Sequence, residues 1–248
     1  MYADPNYSVM RYYEQRGVPV TGELEAAITD RNFKTLRWVS YAIQHLTRAA
    51  GLTELLDDLA SVTKTGSDSE RRFENLLTEI HAASFLSDTL NETVLEVESR
   101  AHKVESPHAN PNKSCDIKTA TNGNNVYYEV KNSSSEITTS YEKRGVIYFK
   151  PIDDRKLEQW IKEKTKEADR CGANFLICRV PVWSGKFVNK SEFYGDWGNR
   201  IMKRHFLLTR RAAPQEFIVR PAFSISSHIR GIYILKAFGH IKLYFDPV

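Results

Sequence analysis

Asn122-Gly123 is the feature that most constrains what this chain can fold into. The dipeptide lies in SCDIKTATNGNNVYYEVKN, residues 114–132, with alternating side chains on either side. Asn-Gly suits a two-residue type I′ turn, which needs positive φ at both central positions. A turn of that kind predicts a β-hairpin and dictates which side chains oppose one another. With Asn122-Gly123 as the turn, Asp116 faces Glu129; with Gly123-Asn124, it faces Lys131. Both registers put Asp116, Glu129 and Lys131 on one face, because strand side chains alternate with period two. A three-residue loop would change that parity. Ile117, Thr119, Val126, Tyr128 and Val130 take the other face, which points to a core.

Directly opposed Cβ atoms lie about 4.5–5.5 Å apart. Two carboxylates at that spacing repel, and one is pushed towards protonation unless a cation offsets the charge. Clustered carboxylate oxygens suit a hard divalent cation. A lysine beside them can hold a water or neutralise charge on a phosphate, and the combination suits in-line attack on a phosphodiester. The plain alternative is a solvated hairpin face carrying a simple ion pair.

Helical spacing runs from Gly22 to about Ala60 through Leu24, Ile28, Phe33, Leu36, Val39, Ile43, Leu46, Leu52, Leu55 and Leu56, and Gly51 separates two helices. A polar loop at 64–69 supplies cap residues for a helix over roughly 69–87, whose apolar face is Phe73, Leu76, Leu77, Ile80 and Ala83. Strands are predicted at 93–98, 145–150 and 173–180, and a helix runs from Asp153 or Asp154 to about Arg170. NSSSEITTS, after the hairpin, reads as loop or edge structure, and SEFYGDWGNRIMKRHF as helical in part. IYILKAF and HIKLYF predict a terminal hairpin with Gly239 in its turn.

Asp116, the Glu129-Val130-Lys131 run and a glutamate-bearing helix upstream resemble the PD-(D/E)XK nuclease superfamily, over roughly residues 70–180. The order helix, strand, hairpin, helix, strand agrees with it. Cys115 stands where the family's proline usually precedes the aspartate. The resemblance implies an α/β fold with a restriction-endonuclease-like core, a central mixed β-sheet flanked by helices, a helical N-terminal region and a β-containing C-terminal extension. The expected division is 1–65, 66–180 for the nuclease core, and 181–248. It implies a Mg²⁺-dependent endonuclease, with Mn²⁺ as substitute, acting on DNA in preference to RNA, and a homodimer is consistent with it. The alternative is a nucleic-acid-binding protein of the same fold with weak or lost catalysis.

By the resemblance, Asp116, Glu129 and the Val130 carbonyl hold the metal, and Lys131 acts beside the attacked phosphate. A helix glutamate completes the site. Glu79 is favoured because it borders the apolar face near Ala82 and Ala83; Glu74 is the alternative. Asp116, Glu129, Lys131 and Glu79 are thus the candidate catalytic set. Tyr127 shares their face. His81, on the same helix, is expected as a partly exposed residue, Ser133, Ser134 and Ser135 as a polar loop, and Gln159 and Lys162 as non-catalytic.

The net charge of +4 is unevenly spread. Residues 1–70 hold 7 Lys/Arg against 10 Asp/Glu, so the basic excess lies later in the chain. Lys186, Lys190, Arg200, Lys203, Arg204, Arg210 and Arg211 interleave with aromatic residues and are candidates for phosphate contacts. The three cysteines, Cys115, Cys171 and Cys178, form neither a disulfide framework nor a CxxC pair, which fits a reducing compartment. No run of about 18 apolar residues exists, and the first residues carry no apolar signal segment. A cytoplasmic protein without membrane contact is the expectation.

Overall fold

Asp4 and Pro5 start the first helix by two separate means. The Asp4 carboxylate accepts the Asn6 N–H at 3.0 Å, and Pro5 at the first helical position carries no N–H to leave unsatisfied. The helix, α1, spans Pro5–Arg16 and buries Val9 and Tyr13. Sequence periodicity had not marked it. The computed structural model describes residues 4–62, 67–97, 114–133, 140–143, 146–149, 154–179, 205–213, 215–235 and 240–246. They fall into two units, the first holding the described residues up to Val130 and the second those from Lys131 onward.

In the first unit, α2 (Gly22–Thr29), α3 (Phe33–His45) and α4 (Leu52–Ser61) follow α1. The stretch expected to hold two helices therefore holds three, because Asp30-Arg31-Asn32 breaks it before Gly51 does. Asn32 caps α3 by accepting the Thr35 N–H. Leu52, Leu55, Leu56 and Leu59 of α4 are fully buried. The Tyr13 hydroxyl donates to the Leu56 carbonyl at 2.8 Å, tying α1 to α4. Burial pushes the Tyr13 phenol well above its ordinary pKa.

Helix α5 (Ser67–Asp88) packs against α3, α4 and the first strand, β1 (Thr93–Val97). Phe73, Leu76, Leu77, Ile80 and Ala83 are all buried, as their spacing predicts. His81 is buried too, against expectation. Its ring stacks on Trp38 of α3 at 4.2 Å, a contact from a distant helix that local periodicity cannot foresee. Strands β2 (Ile117–Thr121) and β3 (Asn124–Asn132) form an antiparallel hairpin, and β1 pairs antiparallel with β2 across a bulge between Val94 and Glu96.

The second unit holds a short antiparallel pair, β4 (Ser140–Lys143) and β5 (Val146–Phe149), and helix α6 (Asp154–Cys171). Its larger sheet has the order β6 (Phe175–Arg179), β9 (Gly231–Leu235), β10 (His240–Phe245), β8 (Glu216–Pro221), β7 (Phe206–Ala213). β6 and β9 run parallel, as do β10 and β8; the other neighbours are antiparallel. The chain is thus α/β with mixed strand pairing. Leu157, Trp160, Ile161 and Ala168 form the buried face of α6. Every residue of β9 is buried, as a strand flanked on both sides requires. Gly231 begins it, and a side chain there would overlap the Leu243 carbonyl of β10. The expected terminal hairpin is present as β9–β10, with Gly239 outside the described residues. β7 and β8 were not foreseen. Among the described residues no helix is long and apolar enough to cross a membrane.

Candidate functional site

The β2–β3 turn adopts the conformation that Asn-Gly favours, with φ 51° at Asn122 and 80° at Gly123. Positive φ at both positions is the type I′ geometry. It fixes the register: Ile117 pairs with Tyr128, Lys118 with Tyr127, Thr119 with Val126 and Thr121 with Asn124. Continuing this register one residue before Ile117 sets Asp116 opposite Glu129, the first of the two arrangements the sequence allows.

The apolar face is as expected. Ile117, Thr119, Val126, Tyr128 and Val130 are all buried. One charged residue joins it from outside the hairpin. The Glu92 carboxylate, in the turn after α5, accepts the Tyr128 hydroxyl at 2.7 and 2.8 Å and the Thr119 hydroxyl at 2.6 Å. Two hydroxyl donors to one carboxylate make a charge-assisted network that offsets its partial burial.

The opposite face carries Asp116, Lys118, Tyr127 and Glu129. Asp116 Oδ2 accepts the Val130 N–H at 2.6 Å, so the carboxylate is anchored to the backbone of the facing strand. Such a bond fixes the direction of the carboxylate. Glu129 is only 5% exposed. A carboxylate that far from water is costly unless charge or hydrogen bonding compensates it. Lys131 follows two residues on in β3, so strand alternation keeps it on the Glu129 side. Its ammonium, with that of Lys164, lowers the Cys178 thiol pKa, although burial of Cys178 dominates and pushes it up. All three cysteines are buried thiols.

Sequence reasoning missed Lys118 and Glu96 on this face. Glu96 of β1 pairs with Lys118 across the strands, and their side chains form an ion pair at 3.3 Å. The Lys118 ammonium also lies 6.0 Å from the Tyr127 ring centre. Alternation in TVLEVE points to Glu96, but the bulge shifts its parity. Glu79 and Glu74 of α5 are both half-buried, so exposure does not choose between them. Among the described residues no three His, Cys, Asp or Glu side chains group closely enough to hold a metal ion. Asp116, Glu129 and Glu79 therefore do not stand as an assembled three-carboxylate cluster. Asp116, Glu129 and the Val130 carbonyl still give an all-oxygen set, which suits Mg²⁺ because that ion keeps several waters and needs only one or two carboxylates.

Ser133 is not in a loose loop. It is fully buried, and both its N–H and its hydroxyl donate to the Arg179 carbonyl at 3.1 Å. Ser134 and Ser135 lie outside the described residues, as do Lys186, Lys190, Arg200, Lys203 and Arg204. Arg210 and Arg211 are exposed on β7, with Arg211 5.7 Å from the Phe217 ring centre. Gln159 donates to Glu163 on α6.

No protein-family model, no curated protein and no solved structure matches this chain.

Proposed function

We propose that this chain is a Mg²⁺-dependent nuclease that hydrolyses phosphodiester bonds, with DNA as the favoured substrate. One observation carries the reading: Glu129 is buried to 5% exposure on the hairpin face where backbone-anchored Asp116 opposes it. Lys131 stands two residues further along the same strand. The Asp116 and Glu129 carboxylates and the Val130 carbonyl would hold Mg²⁺, with Glu79 or Glu74 as the helix contribution. The ion would supply Lewis-acid polarisation of the phosphoryl group and a more acidic bound water. Asp116, fixed by the Val130 N–H, presents its carboxylate in one direction. Lys131 places a cation beside the scissile phosphate, where charge accumulates as water attacks phosphorus and a deoxyribose oxygen leaves. Arg210 and Arg211 would add phosphate contacts.

The decisive experiment incubates the protein with supercoiled plasmid and linear single-stranded DNA in Mg²⁺ or Mn²⁺. Metal-dependent cleavage abolished by Glu129→Ala and by Lys131→Ala is expected. Cleavage that survives both substitutions would sink the assignment.

A second reading has its own observation. Arg210 and Arg211 stand exposed on β7, which suits phosphate contacts by a nucleic-acid-binding protein of the same fold with weak or absent catalysis. Salt-sensitive DNA binding without cleavage in either metal would establish it.

A further inference from the structure

A cavity of about 810 Å³ runs along α3 in the first unit, inside the range of about 300–1,000 Å³ typical of small-ligand sites. Part of its wall is aromatic. Phe33, the first residue of the helix, is 62% exposed. Trp38 and Tyr41 follow on the same lining and are half-buried.

Two of these rings, Trp38 and Tyr41, are held in place. The Trp38 indole stacks on His81 at 4.2 Å, and the Arg37 guanidinium lies 4.8 Å from its ring centre. Tyr41 donates its hydroxyl to Ser87 at 3.2 Å. Gln44 donates to Ser8 and Ser40, fixing its amide between α1 and α3.

The polar groups are unevenly placed. Arg31 and Arg37 line the part of the cavity at the start of α3. The positive dipole end of that helix is there as well. Gln44, His45 and Asp88 line the cavity further along. Amide, imidazole and carboxylate groups there can read a hydrogen-bonding edge. A planar ligand with a polar edge and one anionic group matches all three features.

We propose that this cavity binds a nucleotide, with its phosphate at the start of α3 beside Arg31 and Arg37 and its base against Phe33, Trp38 and Tyr41. The nucleotide is either a free nucleoside monophosphate or one unit of a single strand; the recognised chemistry is the same. The site owes nothing to Asp116, Glu129 or Lys131, so it stands or falls apart from the nuclease assignment.

The test is binding in EDTA, which stops metal-dependent cleavage. Titrants are the four deoxynucleoside monophosphates, deoxyadenosine, inorganic phosphate and a 5′-phosphorylated ten-nucleotide strand. The readouts are calorimetry and the Trp38 indole N–H resonance, assigned with Trp38→Phe. Saturable binding of at least one nucleotide or of the strand, with a shift of that resonance, is expected. Phe33→Ala should weaken it roughly fivefold to a hundredfold, the range spanned by stacking of a base on one aromatic ring. Arg31→Ala should narrow the gap between deoxyadenosine and its monophosphate. Both positions are exposed, so unchanged melting temperatures accompany these losses. Tighter binding of the strand than of any monophosphate assigns the site to nucleic acid; equal or weaker binding assigns it to the free nucleotide. No saturable binding, a silent Trp38 resonance, deoxyadenosine binding as tightly as its monophosphate, or affinity unmoved by both substitutions would overturn the proposal.

Discussion

The two faces of the β2–β3 hairpin each receive a carboxylate, and they treat it differently. On the apolar face Glu92 is closed off by two hydroxyls, from Tyr128 and Thr119, both fully buried. On the other face Glu129 is buried more deeply, at 5% exposure, in register with Asp116, which accepts a backbone N–H of the same hairpin. Hydroxyl donors that point at a carboxylate satisfy it and leave no reason for an ion. Two opposed carboxylates concentrate negative charge and favour a cation. The same strand pairing thus builds a strut on one side and a candidate metal site on the other.

The largest effect should come from exchanging each acid for its amide. Glu129→Gln removes the charge from the proposed metal-holding carboxylate and should lower the cleavage rate by about a thousandfold, on the order of 4 kcal/mol in barrier. Glu92→Gln should leave the cleavage rate within a few-fold of wild type and lower the urea midpoint instead. Plasmid cleavage and urea melts on both variants test the contrast. If Glu92→Gln abolishes cleavage while Glu129→Gln does not, the functional face has been assigned the wrong way round.

The next effect tests the strut directly. Tyr128→Phe deletes the hydroxyl that serves the Glu92 carboxylate and leaves a partly buried charge short of a donor. A loss of about 1.5–3 kcal/mol in unfolding free energy is expected. A loss within error would mean that water replaces the hydroxyl and that Glu92 is not a strut.

A similar but backbone-driven effect lies in the turn that sets both faces. Gly123 has φ 80°, where an L side chain is strained although nothing crowds it. Gly123→Ala should cost about 1–2 kcal/mol, and because the register aligns Asp116 with Glu129 it should also reduce metal affinity. Manganese titration of this variant distinguishes a turn that only stabilises from one that also aligns the site.

Much of this hairpin was legible in the residues, for a physical reason. Asn-Gly admits few turn types, and period-two alternation then assigns every side chain to a face. Alternation does not say what covers a face, so the burial of Glu129 was not readable. Glu92 escaped notice because its partners come 27 and 36 residues later. Helix α1 escaped because its two buried residues, Val9 and Tyr13, are flanked by polar and aromatic side chains that blur the apolar stripe. Its start signals, an Asp cap and a Pro at the first turn, were present. His81 was misjudged because its burial comes from Trp38, on another helix. The apolar stripes of α5 and α6 were readable, from Phe73 to Ala83 and from Leu157 to Ala168, since helical packing repeats a local period.

The smallest expected effect compares two buried tyrosines. Tyr128 donates to a carboxylate, whereas Tyr13 donates to the Leu56 carbonyl, a neutral acceptor. Hydrogen bonds to neutral groups contribute less, so Tyr13→Phe should cost about 0.5–1.5 kcal/mol, below the loss from Tyr128→Phe. Its pH dependence gives a second handle. Burial raises the folded-state pKa of Tyr13 above that of the unfolded chain, so the folded state keeps its proton where the unfolded state releases it. Its stabilising contribution is then fully present below the unfolded value of about 10 and declines as pH rises above it. Tyr13→Phe should therefore flatten the loss of stability between about pH 10 and pH 11, measured by urea melts across that interval. An equal alkaline slope in wild type and variant would show that Tyr13 ionises as readily folded as unfolded. That would also remove the reason to treat the α1–α4 tie as a sealed contact comparable to the one beneath the hairpin.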